Sequence, residues 1–315
     1  MNKVNVSIVV PLYNEQESVG LLYKKIKQAI NATDKEYEII FVDDGSKDAT
    51  FEKAASLTAG DKRLRVVELR KNYGQTPAMA AGIDIAVGKV IVTMDGDLQN
   101  DPSDIPMMLA KLEEGYDLVI GWRHKRQDKL VTRKIPSIIA NRLIGYITGV
   151  TVKDNGCSLK VYNANLIKHS PFYNEMHRFI PALLSLSGIK IAQVKVKHHA
   201  RQFGESKYGL SRVYKVLFDL LTIKTILSLS QHPVRWFFRI AAVPFIISVV
   251  LLILIFFGGS TLLGAPVILN TLIILFFSLA VFLASLGILN ELIYFKGNYT
   301  LRDIVSLNKS KNINS

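Results

Sequence analysis

The sequence predicts an α/β fold with a mostly parallel sheet, followed by two helices that span a membrane. Up to about residue 230, short apolar runs alternate with helical patterns at least four times, which is typical of a parallel sheet covered on both faces. Further along, no charged residue occurs between Arg239 and Glu291. This uncharged stretch is long enough for two membrane-spanning helices, because one such helix needs roughly 20 apolar residues. A chain of 315 residues is long enough for one large domain and such an appendage.

The predicted strands and helices alternate along the chain. Strands are predicted at 4–12, 37–46, 64–70, 89–97 and 116–123, and helices at 15–30, 48–60, 76–88 and 105–115. Ligands of open α/β sheets bind outside the carboxyl ends of the strands. Polar side chains occur at four such ends, where they predict one shared site: Tyr13, Asn14 and Glu15; Asp43 and Asp44; Asp95, Asp97 and Gln99; and Arg123.

The fourth predicted strand ends in "MDGDLQ", which carries two carboxylates one residue apart. The alternation of an extended chain can aim Asp95 and Asp97 to the same side, and Gly96 lets the backbone approach a ligand closely. Two neighbouring carboxylates repel each other unless a cation lies between them. Oxygen ligands suit Mg²⁺ or Mn²⁺, and Gln99 can add a neutral oxygen. The segment therefore predicts a divalent metal site, with a solvated acidic turn as the alternative.

Two other strand ends indicate a site for a nucleotide. In "FVDDGS", a carboxylate can accept hydrogen bonds from a base or a ribose, and Asp44 is the predicted base-facing residue. The alternative is that Asp43 or Ser46 only caps the following helix. In "VVPLYNEQES", Pro11 and Tyr13 could form a ledge for an aromatic base, whereas a place near a helix N-terminus would by itself explain Glu15.

Together, "PLYNEQES", "VDDGS", "NYGQTPAMAAGIDIAVG" and "MDGDLQNDP" resemble glycosyltransferase family 2, in order and in spacing. The apolar stretch that follows narrows the resemblance to polyprenyl-phosphate glycosyltransferases, which include dolichol-phosphate mannose synthases and bactoprenol-phosphate glucosyltransferases. The resemblance implies a GT-A-like, Rossmann-like domain that binds a nucleotide-diphosphate sugar. The residues that it assigns to the donor are Pro11, Tyr13, Glu15, Asp44, Asp95, Gly96, Arg123 and Lys207, with Asp95, Asp97 and Gln99 at the metal.

An acceptor that carries a phosphate needs cations near the same site. The segment "HARQFGESKYG" places Arg201, Ser206 and Lys207 around a glycine, and the family folds a similar loop over the nucleotide. Arg178, in "EMHRFIPAL", is similar to a family residue near the acceptor. These four residues are predicted to hold the acceptor phosphate, although a solvated basic loop near anionic lipid is the alternative. A phosphate oxyanion is already a nucleophile, so His177 is predicted to be structural or acceptor-binding rather than a base.

The segment "VKDNGCSLKVY" corresponds to a family segment beside the donor sugar. Some relatives carry an acid directly after the glycine, but here that position is Cys157, and the acid is Asp154. Together with Asp97 and Arg201, which the resemblance assigns to the metal and to the basic loop, Asp154 completes the set of residues predicted to take part in catalysis. As the one cysteine of the chain, Cys157 excludes an internal disulfide and fits a reducing compartment.

The second half of the chain is predicted to be membrane-associated. Segments 131–150 and 209–238 mix apolar stripes with Lys and Arg, as interfacial helices do, with ordinary core packing as the alternative. The cluster "GGSTLLGAP" separates predicted spans at 237–257 and 267–289. Basic residues on both outer sides place the ends and the catalytic domain in the cytoplasm, at the cytoplasmic membrane. The predicted divisions are 1–208 (catalytic), 209–235 (interfacial), 236–296 (membrane hairpin) and 297–315 (tail).

The predicted function is metal-dependent, inverting transfer of one sugar to a polyprenyl phosphate, undecaprenyl or dolichyl. By resemblance the donor is UDP-glucose, with mannose, galactose and N-acetylhexosamine open, and a homotetramer is expected. A processive polysaccharide synthase is the enzyme alternative, but "QHPVRW" departs by one residue from the Gln-x-x-Arg-Trp of those enzymes. A non-catalytic scaffold that binds nucleotide or lipid is the other alternative. The net charge of +13 suggests an anionic partner, yet no base-stacking motif predicts nucleic acid.

Overall fold

The computed structural model describes residues 4–124, 145, 152–168, 180–185, 188–200, 233–258 and 266–297. Two compact units divide the chain, Met1–Leu220 and Leu221–Ser315. The first unit contains the sheet, and the second contains the two long apolar helices. The predicted divisions at 208, 235 and 296 remain predictions. The predicted interfacial segment 131–150 lies outside the described residues except for Gly145, and segment 209–238 is described only from Pro233 onward.

The first unit alternates strands and helices. Its strands are β1 (Val6–Leu12), β2 (Tyr37–Asp43), β3 (Leu64–Glu68), β4 (Val90–Thr93), β5 (Leu118–Arg123), β6 (Lys160–Asn163) and β7 (Ile191–Val196). Its helices are α1 (Val19–Asn31), α2 (Thr50–Thr58), α3 (Gln75–Ile85), α4 (Ile105–Glu113), α5 (Ala164–Ile167) and α6 (Ile180–Ser185), and a short 3₁₀ turn, Pro102–Asp104, precedes α4. All nine elements predicted between residues 4 and 123 are present, with shorter bounds.

In the described part of the chain, the strands form one seven-stranded sheet in the order β3-β2-β1-β4-β6-β5-β7. Neighbouring strands are parallel except at β6, which runs antiparallel to both β4 and β5. The mostly parallel sheet is thus confirmed. Because the six strands that run in one direction end at the same edge, their carboxyl ends gather the polar loops there.

The sheet is buried on both faces, so β1 and β2 are almost continuously apolar. Alternate residues of β1 face different layers. Val6, Ile8, Val10 and Leu12 pack into the cluster that contains α1, α2 and α4, whereas Val9 packs into the cluster that contains α3. The small-residue pattern of α3 allows close packing, because a Cβ at Gly82 would lie 2.4 Å from Cγ1 of Val9. This close contact fixes α3, whose N-terminus borders the polar edge.

The second unit contains α7 (Pro233–Gly258) and α8 (Pro266–Gly297). Val234–Phe257 and Val267–Ile293 are long and apolar enough to cross a membrane, with mean hydropathies of 3.1 and 2.8. Their large side chains are mostly exposed, as in Phe256 at 82%. A core helix of a soluble protein would bury such residues. The two predicted spans therefore correspond to two helices with slightly wider bounds.

Small residues line the contact between α7 and α8. Ala241 and Ala280 are buried, and a Cβ at Gly287 would lie 2.7 Å from Cβ of Phe237. Close approach through small residues is typical of helices that pack in membranes. In addition, the backbone N–H of Val234 donates to Oε2 of Glu291 at 3.3 Å. A carboxylate therefore satisfies one of the N–H groups that lack a partner within the first turn of α7.

Candidate active site

The loops that follow β1 and β2 are joined by side-chain hydrogen bonds. Ser46 Oγ accepts from the backbone N–H of Asn14 at 2.9 Å, and Oδ1 of Asn14 accepts from the N–H of Lys47 at 2.8 Å. Asn14 has φ of 54°, a left-handed conformation that asparagine tolerates better than most residues. Asp43 accepts from the backbone and the hydroxyl of Ser46. Asp43 therefore closes a turn with Ser46 and does not cap α2, whose N-cap residue is Ala49, so the alternative of a helix cap is wrong for both Asp43 and Ser46.

Asp44 connects β2 to the loop before α3. It is 3% exposed, and its two carboxylate oxygens accept from the N–H groups of Tyr73 at 2.8 Å and Gly74 at 2.9 Å. Gly74 has φ of 101°, a conformation that favours glycine. The carboxylate thus fixes the loop that leads into Gln75. The predicted contact between Asp44 and a base stays a prediction, and the structure adds this backbone contact.

The other predicted donor residues lie at the same edge. Pro11 is buried near the end of β1, and Tyr13 is half-buried just beyond it. Glu15 is half-buried as well: its carboxylate accepts from Ser18 Oγ at 2.7 Å and its N–H donates to Thr50 Oγ1 at 2.7 Å. These contacts stabilise the start of α1, while the nucleotide-binding roles of the three residues stay predictions.

The acidic loop after β4 packs tightly against the end of β1. A Cβ at Gly96 would lie 2.6 Å from Cδ2 of Leu12 and 3.3 Å from the carbonyl oxygen of Pro11. Glycine is therefore needed here for packing. Leu98, with φ of 60°, has a left-handed conformation that is rare for leucine, and the N–H of Gln99 donates to Oδ1 of Asp97 at 3.2 Å. Non-glycine residues in such conformations are concentrated at functional sites.

The electrostatics of Asp95 show a shortage of positive charge at this loop. Burial of the carboxyl, followed by the negative charge of Asp97, raises the pKa of Asp95 to about 6. A hydrogen bond from Ser158 and the charges of Arg123 and Lys160 act in the opposite direction without cancelling the increase. Gln75 Nε2 also donates to Oδ1 of Asp95. The structure therefore brings Asp95 and Asp97 within electrostatic range of each other.

The acidic loop fits a divalent cation that is shared with a substrate. Asp95, Asp97 and Gln99 supply oxygen atoms, and a cation would offset the burial and the charge of Asp97 that together raise the pKa of Asp95. Among the described residues, no group of three or more His, Cys, Asp or Glu side chains could hold a metal ion. Mg²⁺ is usually held by one or two carboxylates together with substrate phosphates, so this small donor set suits a metal–diphosphate site.

Ser158 connects the acidic loop to the segment before β6. Its Oγ accepts from the N–H of Asp95 at 3.2 Å and from Nδ2 of Asn100 at 2.7 Å, and its carbonyl accepts from Oγ1 of Thr93 at 2.9 Å. Ser158 and Asn100 are buried. Neither residue could be predicted from the sequence, because a serine or an asparagine carries no signal of its contact with a distant strand end.

Arg123 and Asp154, both predicted site residues, bind each other. Nε and Nη2 of Arg123 donate to the two oxygens of Asp154 at 2.7 and 2.8 Å, and the Arg123 N–H donates to Oδ2 at 3.2 Å. Burial acts to lower the pKa of Arg123, but the contacts with Asp154 outweigh burial and raise it. The predicted roles of Arg123 at the donor and of Asp154 in catalysis stay predictions. In addition to these predicted roles, the ion pair gives both residues a structural role.

Two buried groups complete this side of the site. Burial raises the pKa of the Cys157 thiol to about 11, so the thiol is protonated at neutral pH and is a poor nucleophile. Lys160 is 2% exposed at the start of β6, and its Nζ donates to the carbonyl of Asn155 at 3.3 Å. The charge of Lys160 acts on Asp95, a contact that no local sequence pattern predicts.

The end of β7 is attached to the acidic loop. The N–H of His199 donates to the carbonyl of Gln99 at 2.9 Å, and Nε2 of His199 lies 2.8 Å from Oδ2 of Asp101. His199 begins the segment that contains three of the predicted acceptor-phosphate residues. Those predictions lie outside the described residues: Arg201, Ser206 and Lys207, together with His177 and Arg178.

The chain is similar to known proteins both in sequence and in structure. The family model of Glycosyl transferase family 2 matches residues 7–176. Dodecaprenyl-phosphate galacturonate synthase of Rhizobium johnstonii is 48% identical over 241 residues, which cover 75% of this chain and 71% of the relative. The crystal structure of glucosyl-3-phosphoglycerate synthase from Mycobacterium tuberculosis with Mn²⁺ and UDP-glucose has a TM-score of 0.53 at 20% identity, covering 70% of this chain and 79% of that one. This structural similarity shows a GT-A-like fold, as the sequence predicts.

Proposed function

The chain belongs to glycosyl transferase family 2, and from this premise we propose that it transfers one sugar from a nucleotide-diphosphate sugar to a polyprenyl phosphate. The observation that carries this proposal is the pair Asp95 and Asp97 at the carboxyl end of β4. Their mutual repulsion and oxygen donors suit a metal that neutralises a diphosphate. The loops after β1 and β2, which contain Tyr13 and Asp44, border the same edge and would take the base and ribose.

The acceptor proposal rests on two supports. The relative that is 48% identical is named for a dodecaprenyl phosphate, an isoprenoid lipid phosphate. In addition, α7 and α8 are long and apolar enough to anchor the chain in the membrane where such a lipid resides. We expect the catalytic domain on the cytoplasmic side of the cytoplasmic membrane and undecaprenyl or dolichyl phosphate as acceptor. Assembly into a tetramer stays a prediction.

In the proposed reaction, an oxygen of the lipid phosphate attacks the anomeric carbon of the sugar. The bond from that carbon to the diphosphate breaks, and a single displacement inverts the configuration. A bound Mg²⁺ or Mn²⁺ would stabilise the charge that develops on the leaving diphosphate. Asp95, Asp97 and Gln99 would hold that ion, and Ser158 and Gln75 would orient Asp95. The solved neighbour that binds Mn²⁺ with UDP-glucose supports a metal without deciding between Mg²⁺ and Mn²⁺.

The proposal also concerns which sugar the nucleotide donor carries. The family resemblance of the sequence predicts UDP-glucose. The name of the galacturonate synthase favours a uronic acid instead, so UDP-galacturonate is the donor that we propose to test first. A uronate adds a carboxylate to the substrate, and its binding to a site that already holds two carboxylates needs a nearby cation. Arg123 and Lys160 supply positive charge near Asp95.

The experiment uses the full chain in nanodiscs that contain undecaprenyl phosphate. UDP-glucose, UDP-galactose, UDP-glucuronate, UDP-galacturonate and GDP-mannose are supplied separately, with Mg²⁺, Mn²⁺ or chelator, and the lipid product is identified by mass spectrometry. We expect one sugar per lipid and no product with chelator. Asp97→Asn should lower the rate by about 100-fold or more, since metal stabilisation of charge contributes several kcal/mol.

Asp34→Asn is the matched control, because Asp34 is exposed in the loop before β2, at the edge of the sheet opposite the site. It should leave the rate unchanged. Equal rates for Asp97→Asn and the unchanged protein would contradict the metal-dependent mechanism. Products with several sugars per lipid would favour the processive synthase instead.

A further inference from the structure

A tryptophan between two lysines lies at the carboxyl end of β5, on the face away from Arg123. Nζ of Lys153 is 4.2 Å from the centroid of the Trp122 ring, and Nζ of Lys195 is 5.8 Å from it. Trp122 is half-buried, and both lysines are exposed. We call Trp122, Lys153 and Lys195 the Trp122 patch. It combines a large amphipathic ring with two cations on one surface.

The patch is set by the register of the sheet. Trp122 is paired with Lys195 in the parallel ladder between β5 and β7, so the two side chains leave the sheet on the same side. The backbone N–H of Lys153 donates to Oε1 of Gln193 at 2.7 Å, which holds Lys153 beside the same strand. Ile191 and Gln193, which share this face of β7, carry no negative charge. The surface is therefore cationic and fixed by backbone pairing.

The position of the patch in the chain indicates what it contacts. Trp122 lies shortly before, and Lys153 shortly after, segment 131–150, which the sequence predicts to be an interfacial amphipathic helix. The described parts of the chain on the two sides of that segment therefore both contribute to the patch, Trp122 before it and Lys153 after it. Tryptophan concentrates at membrane–water interfaces, and Lys and Arg are attracted to an anionic leaflet.

We propose that the Trp122 patch docks the catalytic domain onto the anionic headgroups of the membrane in which the chain is anchored. The ring of Trp122 enters the headgroup layer, while Lys153 and Lys195 pair with lipid phosphates. This inference rests on the membrane anchoring in the proposed function but not on the identity of the donor or the acceptor. Lysine on an edge strand such as β7 also prevents the strand from pairing with other chains, but this alternative does not explain why Trp122 lies between the two lysines.

The test uses the fluorescence of Trp122 in the full chain. The sequence contains two tryptophans, so Trp236→Phe leaves Trp122 as the only one. This variant is placed in nanodiscs of phosphatidylcholine alone or with phosphatidylglycerol, both without polyprenyl phosphate, so that the acceptor cannot account for the signal. A headgroup-labelled nitroxide lipid reports contact with the membrane, and acrylamide reports contact with water. We expect at least about twofold stronger nitroxide quenching in the anionic nanodiscs, because anionic lipid attracts the two lysines.

Adding Lys153→Glu and Lys195→Glu should abolish the difference between the two lipid compositions. The matched control adds Lys24→Glu and Lys62→Glu, which change the same charge at exposed positions outside the patch and should leave the difference intact. Quenching by acrylamide without quenching by the nitroxide lipid would overturn the proposal, because Trp122 would then face water. Nitroxide quenching that is equal in both lipids, or unaffected by the patch variants, would overturn electrostatic docking. A separate measurement of sugar transfer would show whether the proposed function holds when membrane docking does not.

Discussion

The guanidinium of Arg123 holds the carboxylate of Asp154 through two hydrogen bonds, and the side chains are only 12% and 3% exposed. Such a planar, two-point contact fixes both groups in position. It joins the end of β5 to the segment that leads into β6, beside the acidic loop.

Removing one member of this pair should destabilise the catalytic domain. Arg123→Met or Asp154→Leu leaves a buried charge without its partner, which costs about 3–5 kcal/mol. The double variant removes both charges and should be more stable than either single variant. Thermal unfolding of the full chain in detergent measures this. Lys111→Met, which breaks the exposed pair with Glu114, is the control and should cost less than about 1 kcal/mol. A double variant as unstable as the worse single variant would argue against the pairing.

The same pair provides a test of the predicted catalytic role of Asp154. If Asp154 acts mainly by holding Arg123, then Asp154→Asn and Arg123→Met should lower the transfer rate by similar factors. A much larger loss in Asp154→Asn, with a shifted pH profile, would instead support a role of Asp154 as a base. Steady-state rates across pH 5–9 distinguish the two outcomes.

Ser158→Ala should weaken metal binding without unfolding the domain. Its hydroxyl accepts from the N–H of Asp95 and from Asn100, so its loss leaves Asp95 less well oriented. Residues that orient metal ligands typically change affinity by about 10–100-fold, and a loss near tenfold is expected here. Electron paramagnetic resonance of bound Mn²⁺, with UDP present, measures affinity independently of turnover.

Ser158→Thr keeps a hydroxyl and should recover part of that affinity. Ser56→Ala removes an exposed hydroxyl on α2 and serves as the control. Unchanged Mn²⁺ affinity in Ser158→Ala would show that the hydroxyl does not orient the metal loop.

Gly287→Leu should separate the two apolar helices. A side chain at this position meets Cβ of Phe237, so α8 cannot keep its distance from α7. Overpacking typically costs about 1–3 kcal/mol. Ser285→Leu adds the same side chain at an exposed position two residues away and should have little effect. The melting temperature in detergent gives the comparison, and equal values for the two variants would contradict this helix contact.

Asp61→Asn should reduce stability at neutral pH and much less in acid. Burial alone would raise the pKa of Asp61. Hydrogen bonds from Arg63, Lys27 and Tyr23 outweigh burial and hold the pKa well below its usual value. A lowered pKa stabilises the folded chain fully above the unfolded pKa of about 4, and this contribution is lost progressively as the pH falls from there toward the much lower folded pKa. We expect the melting temperature to drop by a few degrees at pH 7, with the difference from the unchanged protein shrinking toward pH 3. A pH-independent difference would exclude this linkage, and Asp34→Asn is the exposed control.

The sequence was sufficient to predict the strands whose ends form the site. Each is a dense apolar run that ends in polar residues, as in Val90–Thr93 before Asp95, because both faces of the sheet are buried. A local sequence pattern of this kind is sufficient to predict a strand. The predicted helix bounds were too wide at α1, where Glu15 and Ser18 form a turn before the first helical residue.

The sequence did not predict β6 and β7. β6 has only four residues and contains a buried lysine, which is unusual for a strand interior. Its place between β4 and β5 depends on pairing with residues far away in the chain. The contacts of Ser158 and Lys160 with the acidic loop follow from that pairing, so no local pattern could reveal them.

The reversed direction of β6 has a consequence for how such enzymes can diversify. β5 ends, and the segment before β6 begins, at the same edge of the sheet. The ion pair between Arg123 and Asp154 therefore joins the two ends of the chain segment that lies between them. The residues between Arg123 and Asp154 can be lengthened, shortened or exchanged between homologues without a change in the order of the strands. Chimaeras that exchange residues 125–151 and keep this ion pair should therefore retain the sheet and the acidic loop at its carboxyl edge.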